Sequence, residues 1–362
     1  MVASPFAVAC PPDAEAFVNC IRRRGTPHRV HHYELCLDGE VQTALAERFG
    51  IGDHLDPGDP WYALRRQIAL QRFLGYDYVS AGVDGLVMPF NWRATADTAA
   101  LGRSGGRSYL DEHRGPITCW REFESYPWPD IDAVRTDSLA WLDRHLPDDM
   151  CVIGWGFGHF CEHLTWLMGY ETLCLALYDQ RDLVRALYAR ILDQSLRVAR
   201  LVLQFRCVRL MLGSDDMGFR SGPLISPTDM REFVLPGHRA VAALAHEAGR
   251  PYLLHSCGNL ATLLDDLIDE VGLDAKHSFE DTIEDVRRAK REYGHRLSLL
   301  GGLDLDFLCR ADAAQVRQRV RDTLAVCQPG GGYALGTGNS VANYIPLDNY
   351  LVMLDEGRRF MA

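Results

Sequence analysis

The chain has no long apolar run. Arg, Asp or Gln interrupts every hydrophobic stretch before it reaches the roughly 18 consecutive apolar residues of a membrane span. On the sequence, a helical bilayer crossing is excluded. Residues Met1 to Cys10 lack the basic start of a secretory leader, so a cytoplasmic protein is expected. Positive charge is in deficit: 38 Lys and Arg stand against 49 Asp and Glu, giving a formal net charge of −11 and arguing against a nucleic-acid surface. The eleven cysteines include no C-x-x-C pair and are odd in number, which reads as reduced thiols rather than a disulfide framework. Two further signatures are missing. No G-x-G-x-x-G follows the first predicted strand, which disfavours a doubly wound dinucleotide-binding sheet. His159 and His163 stand four apart, a spacing that can chelate a metal, but no Glu directly follows His159 as the zinc-protease motif requires.

What is present is an ordinary globular composition, 47% hydrophobic and 24% charged, over 362 residues, enough for one large barrel. Eight short apolar runs centre near residues 30, 78, 152, 210, 253, 275, 299 and 334, with helical periodicity between most of them. That alternation predicts a single-domain α/β protein spanning 1–362, a closed (β/α)8 TIM barrel. Residues 84–128, rich in Gly, Arg, aromatics and turn formers, are too long for an ordinary loop and are expected as a hairpin-bearing insertion after the second strand, over the barrel mouth. The chain is organised around Pro251–Asn259, where an apolar strand runs directly into His255, Ser256, Cys257 and Gly258. Residues i and i+2 of an extended chain share a side, so His255 and Cys257 can converge on one ion or one substrate.

Other candidates fall at the ends of predicted strands, where barrel enzymes carry their chemistry. They are Glu34, Asp215, His277, Asp304 and Asn339. Asp215 and Asp216 are adjacent, so one is expected to face a pocket while the other ties down the loop. On the first predicted strand, His32 and Glu34 share a face near its end and Arg29 lies nearer its start; a central cavity and a solvated edge are both open for them.

The segments Gly213-Ser-Asp-Asp-Met-Gly218, Leu254-His-Ser-Cys-Gly-Asn259 and Gly336-Thr-Gly-Asn-Ser-Val-Ala-Asn-Tyr-Ile-Pro346 resemble the uroporphyrinogen decarboxylase-like superfamily, which includes cobalamin-dependent methyltransferases acting on thiols. True decarboxylases carry an R-Q-A-G-R loop after the first strand and a G-H-G near the last. This chain has His32-Tyr-Glu-Leu-Cys-Leu-Asp38 and Gly336-Thr-Gly338 there, which resembles the methyltransferase branch more. The resemblance implies a zinc-dependent enzyme moving a methyl group between a corrinoid and a thiol or similar acceptor, with zinc lowering the thiol's pKa. That branch's second cysteine after the last strand is replaced by Gly338, Asn339 and Ser340. Glu34 is therefore the expected ligand beside His255 and Cys257, with Asp216, His277 and Asn339 as substitutes. Asp215, Asp216, His277 and Glu280 are the expected catalytic groups; Arg29, His32, His159, Asp304 and Asn339 are the expected contacts to a small-molecule substrate. No corrinoid domain is evident, so a corrinoid would arrive free or on a separate protein. The Asn343–Gly357 run caps the barrel bottom or packs at a subunit contact, as in a homodimer. Two alternatives stay open. One is a metal-independent carboxy-lyase in which Asp216 steers protonation and Arg103, Arg107 and Arg121 hold anions; the other is a non-catalytic metal- or corrinoid-binding protein.

Overall fold

Turn residues cut the sequence into short apolar runs, and each run forms a brief strand. In the computed structural model, which describes residues 4–103 and 106–360, these are β1 (Tyr78–Ala81), β2 (Trp92–Thr95), β3 (Arg107–Leu110), β4 (Cys151–Trp155), β5 (Val208–Ser214), β6 (Gly218–Phe219), β7 (Gly222–Pro223), β8 (Tyr252–His255), β9 (Ala275–His277), β10 (Ser298–Leu300) and β11 (Tyr333–Ala334). Positions 1–3, 104–105 and 361–362, included in the single-domain and insertion readings, lie outside the described residues. Seven strands form one parallel sheet in the order β1-β4-β5-β8-β9-β10-β11. Its central strands are buried along almost their whole length, as expected when helices cover one face and a packed interior fills the other.

The expected eighth strand, residues 28–34, is not a regular strand. It meets β11 through the single parallel bridge His32↔Leu335, with Tyr33 N–H donating to Leu335 O at 2.9 Å and Leu335 N–H to His31 O at 2.8 Å. Towards β1 the link is a side chain: the Tyr78 hydroxyl donates to Glu34 O at 2.8 Å and accepts from Glu34 N–H at 2.9 Å. A tyrosine therefore occupies the gap that a backbone ladder would fill. The sheet curls as seven strands, with this segment between its two edges. Within 84–128, β2 and β3 pair antiparallel in the register Trp92↔Leu110.

Helix ends follow their local chemistry. Tyr62–Leu74 stops at Gly75, whose φ of 78° suits glycine. Ser226 caps the next predicted helix by accepting from Asp229 N–H at 3.1 Å, with Pro227 at its first position. The helical stretch here divides into Pro227–Phe233 and Leu235–Glu247, because Pro236 has no N–H to carry the first helix's ladder forward.

One buried carboxylate ties these elements together. Asp215, with no exposure, follows β5 and accepts from Cys161 N–H at 2.9 Å and Glu162 N–H at 2.8 Å, in the first turn of helix Phe160–Met168. It also pairs with His238 Nε2 at 2.9 Å, and His238 Nδ1 meets the Tyr252 hydroxyl at 2.8 Å. A strand end, a helix start, helix Leu235–Glu247 and strand β8 thus share one charge. Asp215→Asn must turn an amide NH2 towards one of these donors, leaving buried groups unsatisfied. The expected cost is about 1–3 kcal/mol in urea unfolding, with far-UV circular dichroism unchanged in the folded baseline.

Candidate active site

Strand β8 ends at His255, and the chain turns at Gly258, where φ is 84°. The turn still leaves Cys257 on the side of His255, as the i, i+2 spacing predicts: Cys257 Sγ lies 3.5 Å from His255 Nε2. Neighbouring β5 contributes Asp216, whose Oδ1 is 3.4 Å from His255 Nε2 and accepts the Cys257 N–H at 2.9 Å. Asp215 points inward to its buried partners, and alternation sends Asp216 to the site. The ligand atoms of Asp216, His255 and Cys257 all lie within 4.8 Å of one another. Donors bound tetrahedrally at about 2.0–2.3 Å are about 3.3–3.7 Å apart, so both His255 separations fit a zinc coordination sphere.

The protonation pattern fits as well. His277 is buried beside His255, with their Nδ1 atoms 2.8 Å apart. Its Nε2 faces the carbonyl of Thr337 at 3.2 Å. A carbonyl only accepts, so His277 Nε2 carries the hydrogen. Burial, assisted by the neighbouring His255 charge, holds His277 well below the usual histidine range and keeps it neutral, so its Nδ1 accepts. His255 must then donate from Nδ1, and its Nε2 is the ring atom presented to Asp216 and Cys257. Glycine permits this relay. A Cβ at Gly301, where φ is 77°, would come 2.1 Å from Thr337 O and 2.8 Å from His277 Nε2.

Burial, then Asp216, pushes the Cys257 thiol up. Although burial raises Asp216 too, its contacts with His255 and the Cys257 amide hold it down to about 2. An imidazole nitrogen, a carboxylate and a thiol reluctant to ionise converge, and a cation would reconcile all three.

The other expected site residues divide by location. Asn339 joins the group, its Nδ2 donating to Cys257 Sγ at 3.1 Å. Glu280 and Asp304 line an adjoining cleft of about 1020 Å3 with Asp281, Asp306 and Asn339. Asp304 also caps helix Leu305–Arg310, accepting from Phe307 N–H at 3.1 Å. His159 hydrogen-bonds Glu162 at 2.7 Å beside a separate aromatic cavity. Arg29 is bound to Asp77, the residue before β1, at the opposite end of the strands. His32 is fully buried against Tyr76, and neither ring nitrogen has a hydrogen-bond partner among the described residues. Of the three arginines considered for anions, Arg103 pairs with Glu40 and Arg107 with Asp97, while Arg121 is exposed. Sequence reasoning missed Thr337 and His238. The only signal for Thr337 is its place between two glycines after the last strand.

Glu34 lies apart from the three clustered ligands. Its carboxylate takes the Thr337 N–H at 2.8 Å and bonds the Thr337 hydroxyl, which contacts Asn339 O at 3.0 Å. Burial raises Glu34 to about 8 despite these bonds. Protonated Glu34 satisfies the network by donating to Thr337 Oγ1, which donates onward to Asn339 O. Folded Glu34 then keeps a proton that the unfolded chain loses near its ordinary value of 4.5. Its contribution to stability therefore falls as pH rises between about 4.5 and about 8. Glu34→Gln, a neutral mimic, is expected to remove this component from a series of urea unfolding curves across that range.

Comparison with known proteins fits this geometry. Over 130 residues the chain is 38% identical to a methylated-thiol–coenzyme M methyltransferase of Methanosarcina mazei, covering 36% of this chain and 32% of the relative. It thus spans about a third of that relative's length. A solved methyltransferase structure from Methanosarcina mazei shares the fold, with a TM-score of 0.68 at 16% identity over 97% of this chain and 100% of that one. Residues 112–360, well over half of the sequence, match the uroporphyrinogen decarboxylase (URO-D) family, and the chain belongs to it.

Proposed function

We propose that the chain is a methyltransferase of this family that moves a methyl group between a corrinoid and a thiol acceptor, with His255, Cys257 and Asp216 holding a zinc ion. The observation that carries the reading is the convergence of an imidazole nitrogen, a thiol and a carboxylate within 4.8 Å, with the His255 tautomer set by His277 and Thr337. The aligned relative is named for methyl transfer from a methylated thiol to coenzyme M, which supports a thiol chemistry. When bound, zinc supplies the Lewis acidity that keeps an acceptor thiol ionised at neutral pH.

The chain's own groups prepare that chemistry. His277 holds the His255 ring and its proton in place. Asn339 donates to the Cys257 sulfur and favours its thiolate. The cleft beside Asn339 gives a substrate access, with Glu280 at its rim to exchange protons; burial, then the nearby carboxylates, raises the Glu280 carboxyl. A corrinoid would come from solution or from a separate protein. A lyase acting on a polyanion has less support, because Glu280, Asp281, Asp304 and Asp306 line this cleft and Arg310 is its one basic side chain among the described residues.

Elemental mass spectrometry of protein purified without chelators or an affinity metal tests the reading. About one zinc per chain is expected in the wild type and none in His255→Ala; a metal-free wild type after zinc reconstitution overturns it. His277→Ala leaves the ligands intact and removes the partner that orients His255. Its zinc affinity is expected to fall about 10- to 100-fold in competition with a chromogenic chelator.

A further inference from the structure

Strand β4 lies next to β5, which leads to Asp216, and opens onto a second concavity of about 250 Å3 that the zinc reading leaves unused. Its walls include Phe90, Trp155, Phe157, His159, His163 and Trp166. Trp166 meets Phe90 at 72° and His163 at 83°, with ring centroids 5.4 Å apart in each pair. Phe157 packs against His163 at 4.3 Å. Rings meeting near right angles wall the volume on more than one side.

The polar content is sparse: among the described residues, His159 and His163 are the ionisable side chains of the walls. His163 is 3% exposed and its Nδ1 is buried without a partner; burial holds it well below the usual histidine range, so it is neutral. Among the described residues, no Lys or Arg lines the cavity. His159, the other histidine of the walls, is bound to Glu162 at 2.7 Å, so any charge on its ring is offset within the pair. This balance disfavours an anion. Aromatic faces in an environment short of positive charge attract a weakly hydrated cation.

We propose that this cavity binds the methylated cationic end of a small molecule, a quaternary ammonium or sulfonium group. Its use as the methyl source, in place of a corrinoid, rests on the methyltransferase reading; binding does not. Donation to a thiolate would form one S–C bond and break one N–C or S–C bond, whose electron pair stays on the departing neutral amine or thioether. No oxidant or reductant is required.

Isothermal titration calorimetry at constant ionic strength tests the binding, with choline compared against its neutral carbon isostere 3,3-dimethylbutanol. Choline is expected to bind about 5- to 30-fold more tightly. Tetramethylammonium and trimethylsulfonium, titrated separately, show which onium the cavity prefers. Trp155, about half exposed and so dispensable for folding, supplies the variant: Trp155→Leu is expected to weaken choline binding about 3- to 10-fold without changing the melting temperature. If that variant unfolds, Phe90→Leu takes its place. Equal affinity for choline and its isostere, unchanged affinity in the variant, or no binding of either onium overturns the proposal. The titration uses no turnover, so failure of the methyltransferase reading leaves its outcome intact and is detected separately by metal content.

Discussion

A carboxylate sealed from water needs hydrogen-bond donors, and Asp215 gathers them from two helices, one of which also brings Tyr252 of β8 through His238. Satisfying that one charge fixes where helix Phe160–Met168 begins and how helix Leu235–Glu247 lies over β5 and β8. It also settles the next residue. With Asp215 held inward, the extended backbone presents Asp216 at the strand ends, where His255 Nε2 and the Cys257 sulfur lie. The electrostatics of the core and the composition of the site are consequences of one pairing. Close packing reinforces it: a Cβ on Gly213 would fall 2.2 Å from the Tyr252 hydroxyl, so glycine lets β5 approach the tyrosine that completes the network.

The glycines around Thr337 have a similar purpose. A Cβ at Gly336 would sit 1.7 Å from Tyr33 O, and one at Gly338 would sit 2.1 Å from Phe279 O. The backbone can therefore thread between the 28–34 segment and the end of β9, carrying Thr337 where its carbonyl orients His277 and its amide and hydroxyl bind Glu34. One residue thus connects two buried ionisable groups, leaving His277 an acceptor and Glu34 a proton carrier.

Much of this was legible in the sequence because it follows from local periodicity. The strand leading into His255-Ser-Cys257 and the division of labour between Asp215 and Asp216 both come from the two-residue repeat of extended chain. Less could be read where partners are remote. The 28–34 segment has strand composition, yet its place beside β1 depends on a tyrosine hydroxyl supplied by residue 78. Arg29 and His32 look like site residues by type, and only the threading of that segment shows them facing Asp77 and the core. Thr337 acts through its backbone, which no residue-type argument detects. The acid that lies beside His255 and Cys257 was open for the same reason: Glu34 and Asp216 are both acids at strand ends, and only the position of Thr337 separates them.

The residues around the cluster also set the sign of what can enter. Cys257, Asp216, Glu280 and Asp304 bring negative or neutral groups to the mouth, while Arg29, Arg103 and Arg107 are held by Asp77, Glu40 and Asp97 elsewhere. A polyanionic substrate would meet repulsion with, among the described residues, only Arg310 in the cleft to offset it. A metal dication faces the reverse balance. Binding relieves the crowding of Asp216 against the sulfur, and each unit by which it lowers the thiol's pKa represents about 1.4 kcal/mol of preference for the ionised form. The features that make Cys257 a poor nucleophile alone, burial and an adjacent carboxylate, are therefore those that make it responsive to a cation. On the zinc reading, a site built this way keeps its thiol protonated and protected from adventitious alkylation until an ion is bound.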